Sequence, residues 1–103
     1  MKPIINIVNQ IFEIETKLTN NDSIQPVERN LARIKNHLEE LGLSYHSPLN
    51  EKYSLDRTDC EASIAGEVDE NNMYVSKVIK PAIYQNIDGK EELIQRAIVI
   101  VES

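Results

Sequence analysis

Two histidines and one cysteine stand in this 103-residue sequence, the side chains most used for proton transfer, nucleophilic attack and transition-metal ligation. His37 sits among polar residues beside Leu38, the position of a solvated or flanking histidine. His46 precedes Ser47-Pro48 and has no Cys, His or carboxylate at a metal-ligand spacing, so its reading is structural. Cys60 would need a base and an anion hole to act as a nucleophile, and no such set is recognisable. Cys60, Ala62 and Ile64 alternate with Glu61 and Ser63, a period-two pattern with one face buried, so Cys60 reads as core.

The densest polar cluster is Asp56-Arg57-Thr58-Asp59-Cys60-Glu61. Its three carboxylates have the chemistry for a hard cation, but the central glycine of a calcium loop is missing. Pairing of Arg57 with Asp56 and Asp59 within a loop is the simpler reading. Glu67, Asp69 and Glu70 read as a solvated acidic turn. Three glycines, none clustered, give no phosphate-cradling loop. The expectation is a protein with no catalytic residue, no metal and no cofactor, which acts by gripping another protein.

Charge narrows the partner. The net charge is −6, and it is unevenly placed. Residues 1–42 carry five Lys/Arg against six Asp/Glu, and residues 43–103 carry six against eleven. A phosphate-binding surface needs clustered cations, so nucleic acid is not expected as a partner. No apolar run nears the ~20 residues that cross a bilayer, and Asn6, Asn9 and Gln10 interrupt the N-terminal apolar stretch before it can serve as a secretory signal. One cysteine forms no internal disulfide. The expected compartment is the cytoplasm. Hydrophobic residues at 41% and charged residues at 27% are ordinary globular usage, enough for one domain or two small cooperating pieces.

The chain divides near Gly42. Ile4, Ile7, Ile11, Ile14 and Leu18 follow the 3-4 rhythm of one helical stripe, with Ile5, Val8 and Phe12 as a second stripe beside it. Thr19 to Ser23 reads as a turn. Pro26 fits the first turn of a second helix, with Asp22 or Ser23 as its cap. Val27, Leu31, Ile34, Leu38 and Leu41 repeat the rhythm, and Gly42 follows as a left-handed C-terminal cap. An apolar face this wide exceeds what one partner helix covers. The expectation is therefore an antiparallel hairpin over residues 1–42 that dimerises into a four-helix bundle through Ile4, Ile7, Ile11, Phe12, Ile14, Leu18, Val27, Leu31, Ile34 and Leu38.

Residues 43–103 have strand texture. Leu43–His46 is a short strand, and residues 60–64 alternate. Met73 to Ile79 reads as a strand with Met73, Val75 and either Val78 or Ile79 inward. Pro81 suggests an edge or a bulge. Ala82–Tyr84 and Leu93–Val101 read as two strands joined through Asp88-Gly89, a strong hairpin signal.

In this order the segments resemble the C-terminal two-thirds of the GrpE proteins, the nucleotide-exchange co-chaperones of DnaK-type chaperones. Leu38-Glu39-Glu40-Leu41-Gly42-Leu43 is similar to the segment where the family's last bundle helix ends. Pro48 to Tyr53 resembles its proline-to-aromatic stretch, and Val75-Ser76-Lys77-Val78-Ile79 its central strand. Ile94 to Val101 resembles its final strand, with Ala97, Val99 and Val101 in place. The family's Asp-Pro before His-Glu-Ala is replaced by Ser54 to Ala62 with shifted spacing, Lys80-Pro81-Ala82-Ile83-Tyr84 replaces a Gly-Tyr, and its long N-terminal helix has no counterpart here. The resemblance implies an α+β protein, with the dimeric helical hairpin followed by a small all-β head at 43–103. It implies binding to the ATPase domain of a DnaK-type chaperone and promotion of ADP release. Tyr53, Arg57, Lys77, Lys80 and Arg96 are the expected partner-binding residues, partly by resemblance and partly because they are cations, with one aromatic, on an acidic background. A non-catalytic adaptor of similar shape with a different partner is the alternative.

Overall fold

The computed structural model describes residues 2–19 and 25–103. The expected turn at 19–23 and the capping of the second helix around Pro26 fall outside the described residues and side chains. Helix α1 spans Lys2–Thr19 and α2 spans Gln25–Glu40. Six strands follow: β1 (Leu43–His46), β2 (Cys60–Ile64), β3 (Tyr74–Lys80), β4 (Ala82–Ile87), β5 (Lys90–Gln95) and β6 (Ala97–Glu102). They form two three-stranded sheets, β1-β4-β5 and β2-β6-β3. In the second, β6 is central, parallel to β2 and antiparallel to β3.

The expected four-helix bundle is corrected by this arrangement: the described chain has two helices and two small sheets, a small α+β fold. The width of the apolar face explains the difference. Val8, Ile11, Leu31 and Leu38 share one buried cluster with Leu43 of β1 and Ile83 of β4, joined by the half-buried Ile5, Leu18, Tyr45 and Ile94. The sheet covers the Val8 and Ile11 side of α1 and leaves Ile4, Ile7 and Ile14 on the surface. The buried face is also turned toward the second stripe. Val8 is 1% exposed while Ile7 is 55% exposed, and Ile4, Ile14, Val27 and Ile34 stay on the surface. Of the ten residues expected in the seam, Ile11, Phe12, Leu31 and Leu38 are buried and Leu18 is half-buried.

A second cluster lies between the sheets: Tyr53, Cys60, Met73, Val75, Ala82, Ala97, Val99 and Val101. Strand side chains point alternately to opposite faces, so β4 serves both cores. Ile83 meets the helices, whereas Ala82 and Tyr84 meet the other sheet. On β3 the inward residue after Val75 is Val78, half-buried, while Ile79 is exposed. The register shifts twice along β3 against β6, between Val75 and Lys77 and between Val78 and Lys80.

Leu93–Val101 is not one strand. It breaks at Arg96, where the chain leaves β5 in one sheet and enters β6 in the other. Pro81 makes the corresponding passage between β3 and β4, and its carbonyl accepts the Gln95 amide at 2.9 Å. Proline has no N–H to give a ladder, so it fits this corner. The β4–β5 turn has Asp88 and Gly89 at φ 53° and 83°, the two positive values that the tightest hairpin turn needs. Gly42 ends α2 at φ 80°, as a left-handed cap does. Its carbonyl accepts from the Asn86 N–H at 2.6 Å, which joins the end of the helix to β4.

Candidate functional site

Arg57 organises the loop between β1 and β2. Its Nε and Nη2 donate to both oxygens of Asp59 at 2.8 and 2.9 Å, Nη2 also reaches Glu51 Oε1 at 2.8 Å, and Nη1 reaches the Lys52 carbonyl at 3.0 Å. Glu51 in turn pairs with His46 Nε2. The Arg57 hydrogen bonds hold the Asp59 carboxyl below the ordinary carboxylate range, against the opposing effect of burial. Burial pushes the Glu51 carboxyl up, but its bonds to Arg57 and His46 outweigh this and the net shift is downward. Arg57 itself is driven up, first by its bond to Asp59. Bidentate Arg–carboxylate geometry is among the strongest of protein ion pairs. The chemistry here is that of a loop clamp, since the guanidinium's donors are already directed at the chain's own acceptors.

Asp56 lies outside this clamp, its carboxyl lowered by the hydroxyl of Ser54, which donates at 2.5 Å. Cys60 is 2% exposed, and burial pushes its thiol up, away from the thiolate that nucleophilic attack requires. His37 is on the surface beside Glu40, 3.4 Å away. Asp69 folds back on the Asn71 N–H and the Asn72 amide, a local turn. Among the described residues, no three His, Cys, Asp or Glu side chains gather as metal ligands.

The five residues expected to meet a partner are not brought together. Tyr53 is buried between the sheets, with its N–H on the Met73 carbonyl at 2.9 Å. Arg57 is the loop clamp. Arg96 is exposed and donates to the Cys60 carbonyl at 2.7 Å, on the β2 side of the central strand β6. Lys77 and Lys80 are exposed on β3 at the opposite edge of that sheet. Neither makes an ion pair among the described residues. The exposed Tyr74 and Ile79 stand on the same strand. The result is a mixed cationic and apolar strip along an edge strand, within a molecule of net charge −6.

Beside this strip, α1, β1 and β3 enclose an open cleft of about 570 Å³. Three polar residues join at its wall: Tyr45 OH donates to Glu15 Oε1 at 2.5 Å, and Lys35 Nζ meets Glu15 Oε2 at 2.6 Å while lying 5.3 Å from the centre of the Tyr45 ring. Burial raises the Tyr45 hydroxyl pKa, and Glu15 raises it further. Sequence reasoning missed this cluster because its members lie on α1, α2 and β1, with no local spacing to link them. The one available signal was Glu15 itself, a carboxylate beside the apolar stripe of α1. Compared with protein-family models, curated proteins and solved structures, the chain matches none.

Proposed function

We propose that this chain is a non-catalytic protein-binding module whose partner is the ATPase domain of a DnaK-type chaperone, and that it promotes release of ADP. The observation that carries the reading is the β3 strip, where Lys77 and Lys80 are exposed and unpaired among the described residues beside Tyr74 and Ile79. Unpaired cations next to apolar side chains suit oriented contact with an acidic protein surface. The segment Val75 to Ile79, which resembles the GrpE central strand, lies within β3, an edge strand here. The mechanism requires no covalent step. A partner that binds the open conformer of a nucleotide cleft more tightly shifts the population toward it, and ~1.4 kcal/mol of differential affinity changes the ratio about tenfold.

The test is stopped-flow release of a fluorescent ADP analogue from a purified DnaK-type chaperone. The expected result is acceleration that saturates at high concentration of this chain and is lost in the double variant Lys77→Glu/Lys80→Glu. No binding to the chaperone overturns the reading. Binding without acceleration leaves the adaptor function in place of exchange.

The adaptor reading, with a different protein partner, is favoured by a separate observation. Ile4, Ile7 and Ile14 of α1 and Val27 and Ile34 of α2 are exposed apolar side chains, the kind of surface from which interaction sites are built. A chain whose chaperone binding is nil but whose other partner is lost in Ile7→Ser/Ile34→Ser follows this second reading.

A further inference from the structure

The cleft between α1, β1 and β3 borders the β3 strip and shares Lys77 with it, while its other walls take no part in the proposed chaperone contact. Its volume of about 570 Å³ falls within the ~300–1,000 Å³ of small-molecule sites. Its apolar surface comes from Phe12 of α1, Leu49 of the loop after β1, and Val78 of β3. Among the described residues Glu15 is the one carboxylate lining it, and that charge is already committed. One oxygen accepts from Tyr45 OH and the other meets the Lys35 ammonium, so its negative charge is already offset within the protein. Lys77 lines the opposite wall and has no ion-pair partner among the described residues. His46 also lines the cleft, with its Nε2 engaged by Glu51, and Lys35 compensates Glu15, so among the described residues Lys77 is the charged lining group without an ion-pair partner. The Ser47 hydroxyl lines the same cleft as a further donor.

We infer that this cleft is a binding site for a small amphipathic carboxylate, an organic acid with an aryl or branched-alkyl body. One unpaired ammonium matches one carboxylate charge. The apolar wall takes the body of the ligand, and the Glu15–Lys35–Tyr45 cluster is internally satisfied and holds α1 against α2 and β1 around the opening. A neutral ligand of the same shape gains the apolar contact but not the charge-assisted hydrogen bond.

The experiment is a ¹⁵N–¹H NMR titration of the whole chain with 3-phenylpropionate and, separately, with its amide at the same ionic strength. It needs neither chaperone nor nucleotide, so its outcome is separate from that of the exchange assay. The expected result is a set of shifts centred on the cleft, with the acid binding about tenfold more tightly than the amide. Lys77→Gln abolishes that preference, Leu49→Asp weakens both ligands, and Lys90→Gln at the start of β5 changes nothing. Both Lys77 and Leu49 are exposed, so the variants keep the fold, which the same spectra verify. Equal affinity for acid and amide, a preference that survives Lys77→Gln, shifts centred elsewhere, or no shifts up to the solubility limit each overturn the inference.

Discussion

Arg57 sets the electrostatics of the β1–β2 loop, because four of its hydrogen bonds converge on Asp59, Glu51 and the Lys52 carbonyl. Hydrogen bonds to charged groups contribute ~1.5–3 kcal/mol when broken, so Arg57→Ala is expected to cost about 2 kcal/mol at neutral pH. The pH dependence has a definite sign. The folded-state pKa values of Asp59 and Glu51 are lowered, so their stabilisation is complete above the ordinary carboxylate pKa of about 4 and is lost as pH falls through the lower folded values. Urea midpoints measured from neutral to acid pH should therefore show the wild-type advantage over Arg57→Ala narrowing below about pH 4. Arg57→Lys keeps the charge but not the fork and should recover only part of the loss. Cys60 yields a second expectation at this scale. Buried and with its pKa raised, it should react with a thiol reagent only as fast as the protein opens. Rapid labelling of the folded chain would contradict its place in the core.

At the scale of elements, Gly42 joins the end of α2 to β4. A side chain there must adopt φ 80°, and its Cβ would stand 2.9 Å from the Asn86 carbonyl oxygen. Left-handed strain alone is about 1–3 kcal/mol, and the contact with backbone adds to it, so Gly42→Ala should lower the thermal midpoint clearly. The same alanine at Gly89 meets only the backbone strain, since nothing lies within 4 Å of its Cβ. Comparing the two melts separates conformation from close approach. The faces of the helices are testable in the same way. Leu38→Ala removes a buried side chain at a cost of about 2–5 kcal/mol, whereas Ile7→Ser on the exposed face should stay within about 0.5 kcal/mol. Equal losses would mean that Ile7 is covered.

The whole molecule stacks the helices on one sheet and that sheet on the other, with β4 shared between two cores. Under the proposed function, the β3 strip is where an acidic partner surface makes its contact. Association through Lys77 and Lys80 should therefore slow as salt rises, and Arg96→Glu, at the entry to the central strand β6 on its β2 side, should leave binding kinetics nearly unchanged, as surface plasmon resonance would read. Much of the frame follows from local chemistry. Gly42 as a helix stop, Asp88-Gly89 as a hairpin turn, the inward positions of Cys60, Met73 and Val75, and the choice of helix over strand before residue 42 are all short-range properties of backbone preference and side-chain period. The sequence also carried the excess width of the apolar face on α1. What covers that face is a long-range matter. Periodicity states that a stripe must be buried but not against what, and the β1-β4-β5 sheet decided it by meeting Val8, Ile11, Leu31 and Leu38 with Leu43 and Ile83. Likewise Tyr53 and Arg57 read as surface residues because type and charge are local, whereas burial between two sheets and the engagement of a guanidinium by carboxylates depend on where the chain returns. The cleft and its Glu15–Lys35–Tyr45 cluster arise only when three separate elements meet, for which no one segment encodes a period.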